Sequence, residues 1–157
     1  MPEHPAATAS RPFSYRDDPA VPAFPDDRPI IVFDGVCVLC SAWVGFVLRH
    51  DRRGLYRLLV AQSPLGQALY LHYGLDPVDY ETNLLLSDGR LFVKSEGSIR
   101  MAEGLGLPWR LAGLLRLLPL RVRDLLYEWV ARNRLRWFGT RTTCYLPQPA
   151  DRARFLA

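Results

Sequence analysis

IIVFDGVCVLC, residues 30–40, joins a short apolar run to two cysteines that lie three positions apart. The run from Ile30 to Phe33 is rich in β-branched and aromatic residues and predicts a buried strand. The residues that follow, SAWVGFVLRH, place apolar side chains at helical spacing, which predicts a helix from Cys40 to His50. The two cysteines therefore lie between a strand and a helix, a more specific context than the CxxC spacing alone.

The rest of the chain predicts further elements in a definite order. They are a strand from Leu55 to Val60, a helix from Pro64 to Tyr73, strands from Thr82 to Leu86 and from Leu91 to Val93, a helix from Ser95 or Glu96 to about Leu105, and a helical segment from Trp109 to about Asn133 that breaks at Pro119. Asp88-Gly89 predicts a hairpin between the last two strands. The resulting β-α-β-α-β-β-α order predicts an α/β protein, a mixed sheet with flanking helices, as in the thioredoxin fold.

Composition divides the chain into three parts. Residues 1–28 hold six of the thirteen prolines and little apolar periodicity, which predicts a disordered tail. Residues 29–147 form the predicted domain, with a helical C-terminal extension from about residue 109, and residues 148–157 form a C-terminal tail. Hydrophobic residues make up 49% of the chain, enough for a core that needs no disulfide scaffold.

The N-terminal sequence MPEHPAATASRPF has neither a basic region nor an apolar run, so we expect no secretory signal. The sequence has no stretch of about 18 uncharged apolar residues, so we expect no membrane span. We therefore expect a cytoplasmic protein. In such a reducing compartment a CxxC pair is more often catalytic or metal-binding than structural.

The position of Cys37 at a predicted helix start favours thiol–disulfide exchange. The free N–H groups and positive dipole end of a helix stabilise a thiolate, which is the nucleophilic form. Cys37 would attack a substrate disulfide, and Cys40, one turn later, would resolve the mixed disulfide. This chemistry needs no cofactor. The expected partners are a protein or small-molecule disulfide or thiol and an unknown electron donor.

A non-enzymatic zinc-binding module is the main alternative, since CxxC is also half of a four-ligand zinc site. Cys144 and either His50 or His72 would have to complete the set with Cys37 and Cys40. No second CxxC or HxxxH pattern is available, so we assign no metal ligand. Two small core residues with no chemistry are a third possibility.

The C-terminal part of the chain is strongly basic: residues 100–157 hold eleven arginines and four acids. ARNRLRWFGTR, residues 131–141, interleaves arginine with aromatic residues as single-strand nucleic-acid binders do, and the helix before it could meet an anionic membrane. We favour a solvated helix end, with Trp137 and Phe138 packed on the core, and expect no nucleic-acid partner. An adaptor that binds a partner or membrane through this basic helix remains an alternative. The apolar stripe of that helix comprises Val122, Leu125, Leu126, Trp129 and Val130.

Two separated motifs resemble the DCC family of predicted thiol-disulfide oxidoreductases. The first is VFDGVCVLC, with Asp34, Cys37 and Cys40, and the second is YEWVARNRLRWFG followed by Cys144 in CYLP. The likeness runs from about residue 30 to residue 147. It implies a thioredoxin-like fold and protein-disulfide reductase-type activity, and it places Arg132 or Arg134 near the active site.

Three residues beside the CxxC have alternative roles. Asp34 could act as the general base for Cys40 or could cap the turn backbone. Gly35 is expected to supply an unusual backbone angle. Cys144 is either a third redox thiol or a small buried hydrophobe.

One departure from thioredoxin-like enzymes concerns substrate binding. These enzymes usually carry a cis-proline before the third strand, opposite the CxxC. The corresponding stretch here, VDYETNLLL, has no proline. In those enzymes the proline helps to hold the substrate chain. Here either Glu81 or Thr82 positions the substrate, or the substrate is bound differently.

Overall fold

A computed structural model describes residues 11–76 and 83–156 of the chain. Its regular elements, in chain order, are β1 (Ile30–Phe33), α1 (Val38–His50), β2 (Arg57–Val60), α2 (Pro64–His72), β3 (Leu84–Ser87), β4 (Arg90–Val93), α3 (Lys94–Glu103) and α4 (Leu120–Phe138). Three 3-10 helices, at Ser14–Asp17, Trp109–Leu117 and Pro149–Arg154, complete the set.

The four strands form one mixed sheet in the order β2-β1-β3-β4. β1 pairs in parallel with β2, where Ile31 lies opposite Leu58, and antiparallel with β3. The β3–β4 turn has positive φ at both Asp88 and Gly89, 51° and 74°, the backbone that a two-residue hairpin prefers. The predicted α/β order and the thioredoxin-like fold are confirmed.

The central strand β1 is buried on both faces because helices cover each side of the sheet. Ile31 and Phe33 pack with side chains of α1 and α3. Ile30 and Val32 point the other way and pack with α2. The continuous apolar run that opens the sequence therefore reflects a strand with two buried faces.

Local capping explains the helix boundaries. The hydroxyl of Ser63 accepts a hydrogen bond from the Gly66 N–H at 3.1 Å, and Pro64 occupies the first helical position of α2. Pro119 separates the 3-10 helix from α4, as predicted, but α4 continues to Phe138 rather than ending near Asn133. The predicted start of β3 at Thr82 lies outside the described residues.

The prediction of a disordered N-terminal tail is wrong for residues 11–28. Tyr15 and Val21 are buried, and Phe13 and Phe24 pack beside them against the α2 face of the core. The Tyr15 hydroxyl also donates to Asp26 at 2.8 Å. These four apolar side chains cover the sheet despite the surrounding prolines. Residues 1–10 lie outside the described ranges.

The C-terminal tail also packs on the domain. The backbone N–H of Leu156 donates to the Leu58 carbonyl at 2.8 Å, beside the edge strand β2. Phe155 packs against the cluster on the α1 face, edge-on to Phe33. Residues 11–28 and the described part of the C-terminal tail thus both contribute to the folded unit.

Most of the apolar stripe of α4 faces solvent, since Leu125 is 62% exposed and Trp129 is 55% exposed. Trp137 and Phe138 are 46% and 48% exposed, so the prediction that they pack on the core is wrong. The opposite face of the helix carries Asp124, Glu128 and Arg134, whose partners are Ser95, Lys94 and Asp34. Polar contacts therefore fix the orientation of α4. In the described ranges, no helix is long and apolar enough to cross a membrane.

Candidate active site

The CxxC lies at the N-terminus of α1, as predicted. Cys37 is the N-cap residue, in an extended conformation, and its sulfur accepts a hydrogen bond from the Cys40 N–H at 3.2 Å. All three cysteines of the chain are free thiols. A helix N-cap normally uses a hydroxyl or carboxylate oxygen, so here the Cys37 sulfur satisfies a backbone N–H that would otherwise lack a partner.

The two sulfurs have opposite electrostatic environments. The hydrogen bond from the Cys40 thiol, the Cys40 backbone N–H and the charge of Arg134 together lower the pKa of Cys37 to about 6, although burial opposes the shift. The same hydrogen bond to Cys37, together with burial, raises the pKa of Cys40 far above its ordinary value. At neutral pH the pair thus holds one thiolate and one thiol.

A buried ion pair lies next to the cysteines. Asp34 and Arg134 are 3% and 4% exposed, and Arg134 Nη2 lies 3.5 Å from Asp34 Oδ2. Arg134 Nη1 also donates to the Ala131 carbonyl at 2.7 Å, which orients the guanidinium. The pair ties α4 to the turn that precedes the CxxC, and its cation is the positive charge that favours the Cys37 thiolate.

Asp34 also organises the turn itself. Its Oδ1 accepts hydrogen bonds from the Val36 N–H at 3.0 Å and from Gln62 Nε2 at 2.6 Å. Gln62 Oε1 in turn accepts from the Gly35 N–H at 3.0 Å. The turn-capping role of Asp34 is therefore confirmed, while its role as a general base remains a prediction.

The segment that follows α4 covers the CxxC turn. Gly139, at φ 85°, ends α4 and lets the chain reverse. The Arg141 N–H donates to the Val36 carbonyl at 2.7 Å, and Thr140 pairs with Cys37 as an antiparallel bridge. The side chain of Cys37 is consequently 0% exposed. The second sequence motif thus forms a cover over the first.

Gly35 is required by close packing and not by its backbone angle. Its φ is not positive, so that prediction is wrong. A Cβ at this position would lie 2.6 Å from Cys144 Sγ and 2.9 Å from Val60 Cγ1, inside contact distance. Cys144 Sγ also lies 4.0 Å from Gln62 Oε1. Cys144 is therefore held against the turn before the CxxC, and a redox role for it remains a prediction.

Of the two arginines named from the second motif, only Arg134 contacts the site. Arg132 is exposed, and its Nε donates to the Glu128 carbonyl of its own helix. Gln62 follows the end of β2 at the sheet edge that carries the CxxC, and from that position the sequence predicts either a site-lining residue or a loop residue. Its bonds to Asp34 and Gly35 place it beside the site. No sequence pattern indicates Tyr127 as a site residue. The stretch proposed to replace the cis-proline, including Glu81 and Thr82, falls outside the described residues.

A mainly apolar cavity of about 210 Å³ opens beside Cys40, between α1, α3 and α4. Its walls include Leu39, Trp43, Tyr127, Val130 and Ala131, and among the described lining residues Arg134 contributes the only charged side chain. Burial raises the pKa of Tyr127 to about 12, so its hydroxyl stays neutral. The cavity offers room next to Cys40 for an apolar group.

The zinc alternative finds no support in the site geometry. Among residues 11–76 and 83–156, no three His, Cys, Asp or Glu side chains converge as metal ligands. His50 bonds to the Phe46 carbonyl, and His72 bonds to Ser14 and Asp18. Both histidines therefore have other partners.

Removing the charge of Arg134 should raise the pKa of Cys37. We expect Arg134→Gln to move the ionisation midpoint of Cys37 from about 6 upward by about one pH unit, because the thiolate loses a nearby cation. Arg134→Lys, which keeps the charge, should retain most of the effect. The ultraviolet absorbance of the thiolate, followed against pH, measures the midpoint.

Arg132→Gln is the matched control, two residues away on the exposed side of the same helix. It should leave the midpoint unchanged, and far-ultraviolet circular dichroism should show that every variant is folded. An equal shift in Arg132→Gln and Arg134→Gln would rule out a local effect of Arg134 on Cys37.

Known proteins resemble this chain over most of its length. The sequence model of the DCC1-like thiol-disulfide oxidoreductase family matches residues 31–140, which include both cysteines of the CxxC. Uncharacterized protein YuxK of Bacillus subtilis (strain 168) is 38% identical over 127 residues, 81% of this chain and 93% of the relative. A chloroplastic DCC family protein of Arabidopsis thaliana is 43% identical over 122 residues, 77% of this chain and 71% of the relative. No solved structure matches the chain. The chain therefore belongs to the DCC1-like thiol-disulfide oxidoreductase family.

Proposed function

We propose that this protein is a thiol-disulfide oxidoreductase of the protein-disulfide reductase type, with Cys37 as nucleophile and Cys40 as resolving thiol. The observation that carries the proposal is the position of Cys37 at the N-cap of α1, where its sulfur accepts a hydrogen bond from the Cys40 N–H at 3.2 Å. The lowered pKa of Cys37 and the raised pKa of Cys40 agree with that geometry. Family membership supports the reaction class. A thiolate beside a protonated partner is the state from which disulfide exchange starts.

The reaction proceeds in two balanced steps. The Cys37 thiolate attacks one sulfur of a substrate disulfide, a mixed disulfide forms, and the other substrate sulfur leaves as a thiolate that takes up a proton. Cys40 then loses its proton and attacks Cys37 Sγ, which releases the second substrate thiol. The substrate gains two electrons, and the protein is left with a Cys37–Cys40 disulfide. A thiol or dithiol donor must return the two electrons for turnover.

Asp34 is the candidate acceptor of the Cys40 proton. Its carboxylate raises the pKa of Cys40 through space, although less than the hydrogen bond to Cys37 and burial do. Once the mixed disulfide forms, Cys37 is no longer a thiolate, and the Cys40 thiol must give its proton to another group. A carboxylate held at the same turn by Val36, Gln62 and Arg134 can take it.

Access to Cys37 requires movement of its cover. Cys37 is 0% exposed and its backbone pairs with Thr140, so we infer that a protein disulfide reaches its sulfur when residues 139–141 separate from the turn. The cover is held to the turn by backbone hydrogen bonds, which exposed substrate backbone could replace. We place the protein in the cytoplasm, whose reducing thiols could supply the donor.

Cysteine variants should separate the two steps. With an unresolved mixed disulfide as the readout, we expect Cys40→Ser to accumulate a covalent adduct with a disulfide-containing peptide, because Cys37 attacks but nothing resolves the product. Cys37→Ser should form no such adduct. Non-reducing electrophoresis and intact-protein mass spectrometry detect the adduct.

Cys144→Ser serves as the control and should turn over the peptide with a thiol donor at the native rate. Adduct formation through Cys40 in the Cys37→Ser protein would reverse the assigned roles. Loss of turnover in Cys144→Ser would require a mechanism with three cysteines.

The role of Asp34 predicts a kinetic separation between attack and resolution. Asp34→Asn keeps an oxygen to accept from the Val36 N–H but cannot take a proton. We expect on the order of 100-fold slower resolution, with the mixed disulfide forming at a rate changed much less. Rapid-quench mass spectrometry of a single turnover measures both steps. Equal slowing of the two steps would assign Asp34 a purely structural role.

A further inference from the structure

Exposed apolar side chains are concentrated in residues 107–138. Fourteen of the seventeen exposed large hydrophobic side chains in the described ranges lie in this segment. They project from both the 3-10 helix Trp109–Leu117 and α4, and Leu114, Leu117, Leu125 and Trp129 are each more than half exposed. Exposed apolar side chains concentrated in this way mark sites of interaction, since soluble domains rarely leave large apolar surfaces open to water. We call this surface the α4 face.

The orientation of α4 is the reverse of that of an ordinary surface helix. Its inward side carries Asp124, Glu128 and Arg134, each with a polar partner in the domain. Its apolar residues therefore point outward, where an amphipathic helix normally presents its polar side. Because polar contacts hold the inward side in place, the helix cannot turn its apolar stripe to the core without breaking them.

The net charge of the α4 face is positive, although Arg116 and Arg123 form ion pairs with Glu96 and Glu103 of α3. Residues 107–141 hold eight arginines and two acids, a net charge of +6. Both acids lie on the inward side of α4, while Arg121, Arg132 and Arg136 are exposed among the leucines and tryptophans. The face therefore combines leucine, tryptophan and arginine and presents no carboxylate from α4.

We propose that the α4 face binds the surface of an anionic lipid bilayer. Leucine and tryptophan side chains inserted at the boundary between headgroups and acyl chains, with arginines on the lipid phosphates, are the composition that interfacial helices use. The chain lies on the bilayer and does not span it, in keeping with the absence of a membrane-crossing helix among the described residues.

The charge argues against the other occupants. In a symmetric dimer the α4 face would meet its own copy, which would bring two sets of arginines together. The segments outside the described ranges could not cover the face, because residues 1–10 and 77–82 contain only Met1, Val78 and Tyr80 as large apolar residues. A bilayer with anionic headgroups satisfies both the charge and the apolar area.

Vesicle binding by the full chain tests the proposal. We expect the protein to sediment with vesicles of phosphatidylglycerol and phosphatidylcholine, and to bind on the order of tenfold more weakly to vesicles of phosphatidylcholine alone. Raising salt to physiological strength should weaken the binding without abolishing it, because the apolar contribution is not screened. The fluorescence of Trp129 and Trp137, both exposed in the free protein, should shift to the blue on binding.

Paired variants distinguish binding through the α4 face from nonspecific binding to vesicles. Leu125→Ser combined with Trp129→Ser should reduce binding at least tenfold, and Arg132→Gln with Arg136→Gln should remove the preference for anionic lipid. Leu71→Ser, which changes a 63% exposed leucine on α2, should bind like the native chain. Because all these side chains are exposed, circular dichroism should show native folding throughout.

Several outcomes would overturn the proposal. These are equal binding to anionic and zwitterionic vesicles, native binding by the Leu125/Trp129 variant, or a dimer in sedimentation velocity that this variant dissociates. Cys37→Ser should bind vesicles like the native chain. Membrane binding therefore succeeds or fails independently of the redox reaction.

Discussion

The buried contact between Asp34 and Arg134 is the interaction on which the rest of the site depends. It joins the turn before the CxxC to α4, one hundred residues later in the chain. The ion pair places a cation beside the Cys37 sulfur and fixes the rotation of α4. Once α4 is held in that rotation, Gly139 directs the following residues back over the cysteines. Removing either charge would leave the other buried without its partner, at a cost of about 3 to 5 kcal/mol.

The same constraint links the chemistry to the outer surface. Because the inward side of α4 carries the charged residues, its leucines and tryptophans face outward. A helix that only covered a core would bury those residues and leave Asp34 without a cation. In the structure α4 instead favours the Cys37 thiolate with one side and presents an apolar, cationic surface with the other. The cover over Cys37 leads directly from this helix, so events at the α4 face and access to the cysteines involve adjacent parts of the chain.

The sequence predicted the features that depend on local periodicity and turn chemistry. The strand, the CxxC and the helix start follow from residues 30–50, and the hairpin follows from Asp88-Gly89, whose two positive φ angles match the expected turn. Tertiary packing decided the rest. A helical period reveals a stripe on α4 but not whether polar contacts turn it outward. Likewise, Arg132 and Arg134 are chemically alike in sequence but point about 200° apart on a helix, so one reaches Asp34 and the other reaches solvent. The Pro-rich composition of residues 11–28 concealed four apolar side chains that cover the sheet. At Gly35 a side chain would collide with the sulfur of Cys144, more than one hundred residues away in sequence, which no local pattern reveals.

We propose that Cys37 and Cys40 form one redox-active pair. Its most direct test is equilibration of the full chain in thiol–disulfide buffers of graded potential, followed by mass-spectrometric mapping of which cysteines are joined. The structure and the proposed mechanism predict a single two-electron transition in which Cys37 pairs with Cys40 and Cys144 stays a free thiol. A disulfide that includes Cys144, or no disulfide at any potential in the range, would show that Cys37 and Cys40 are not such a pair.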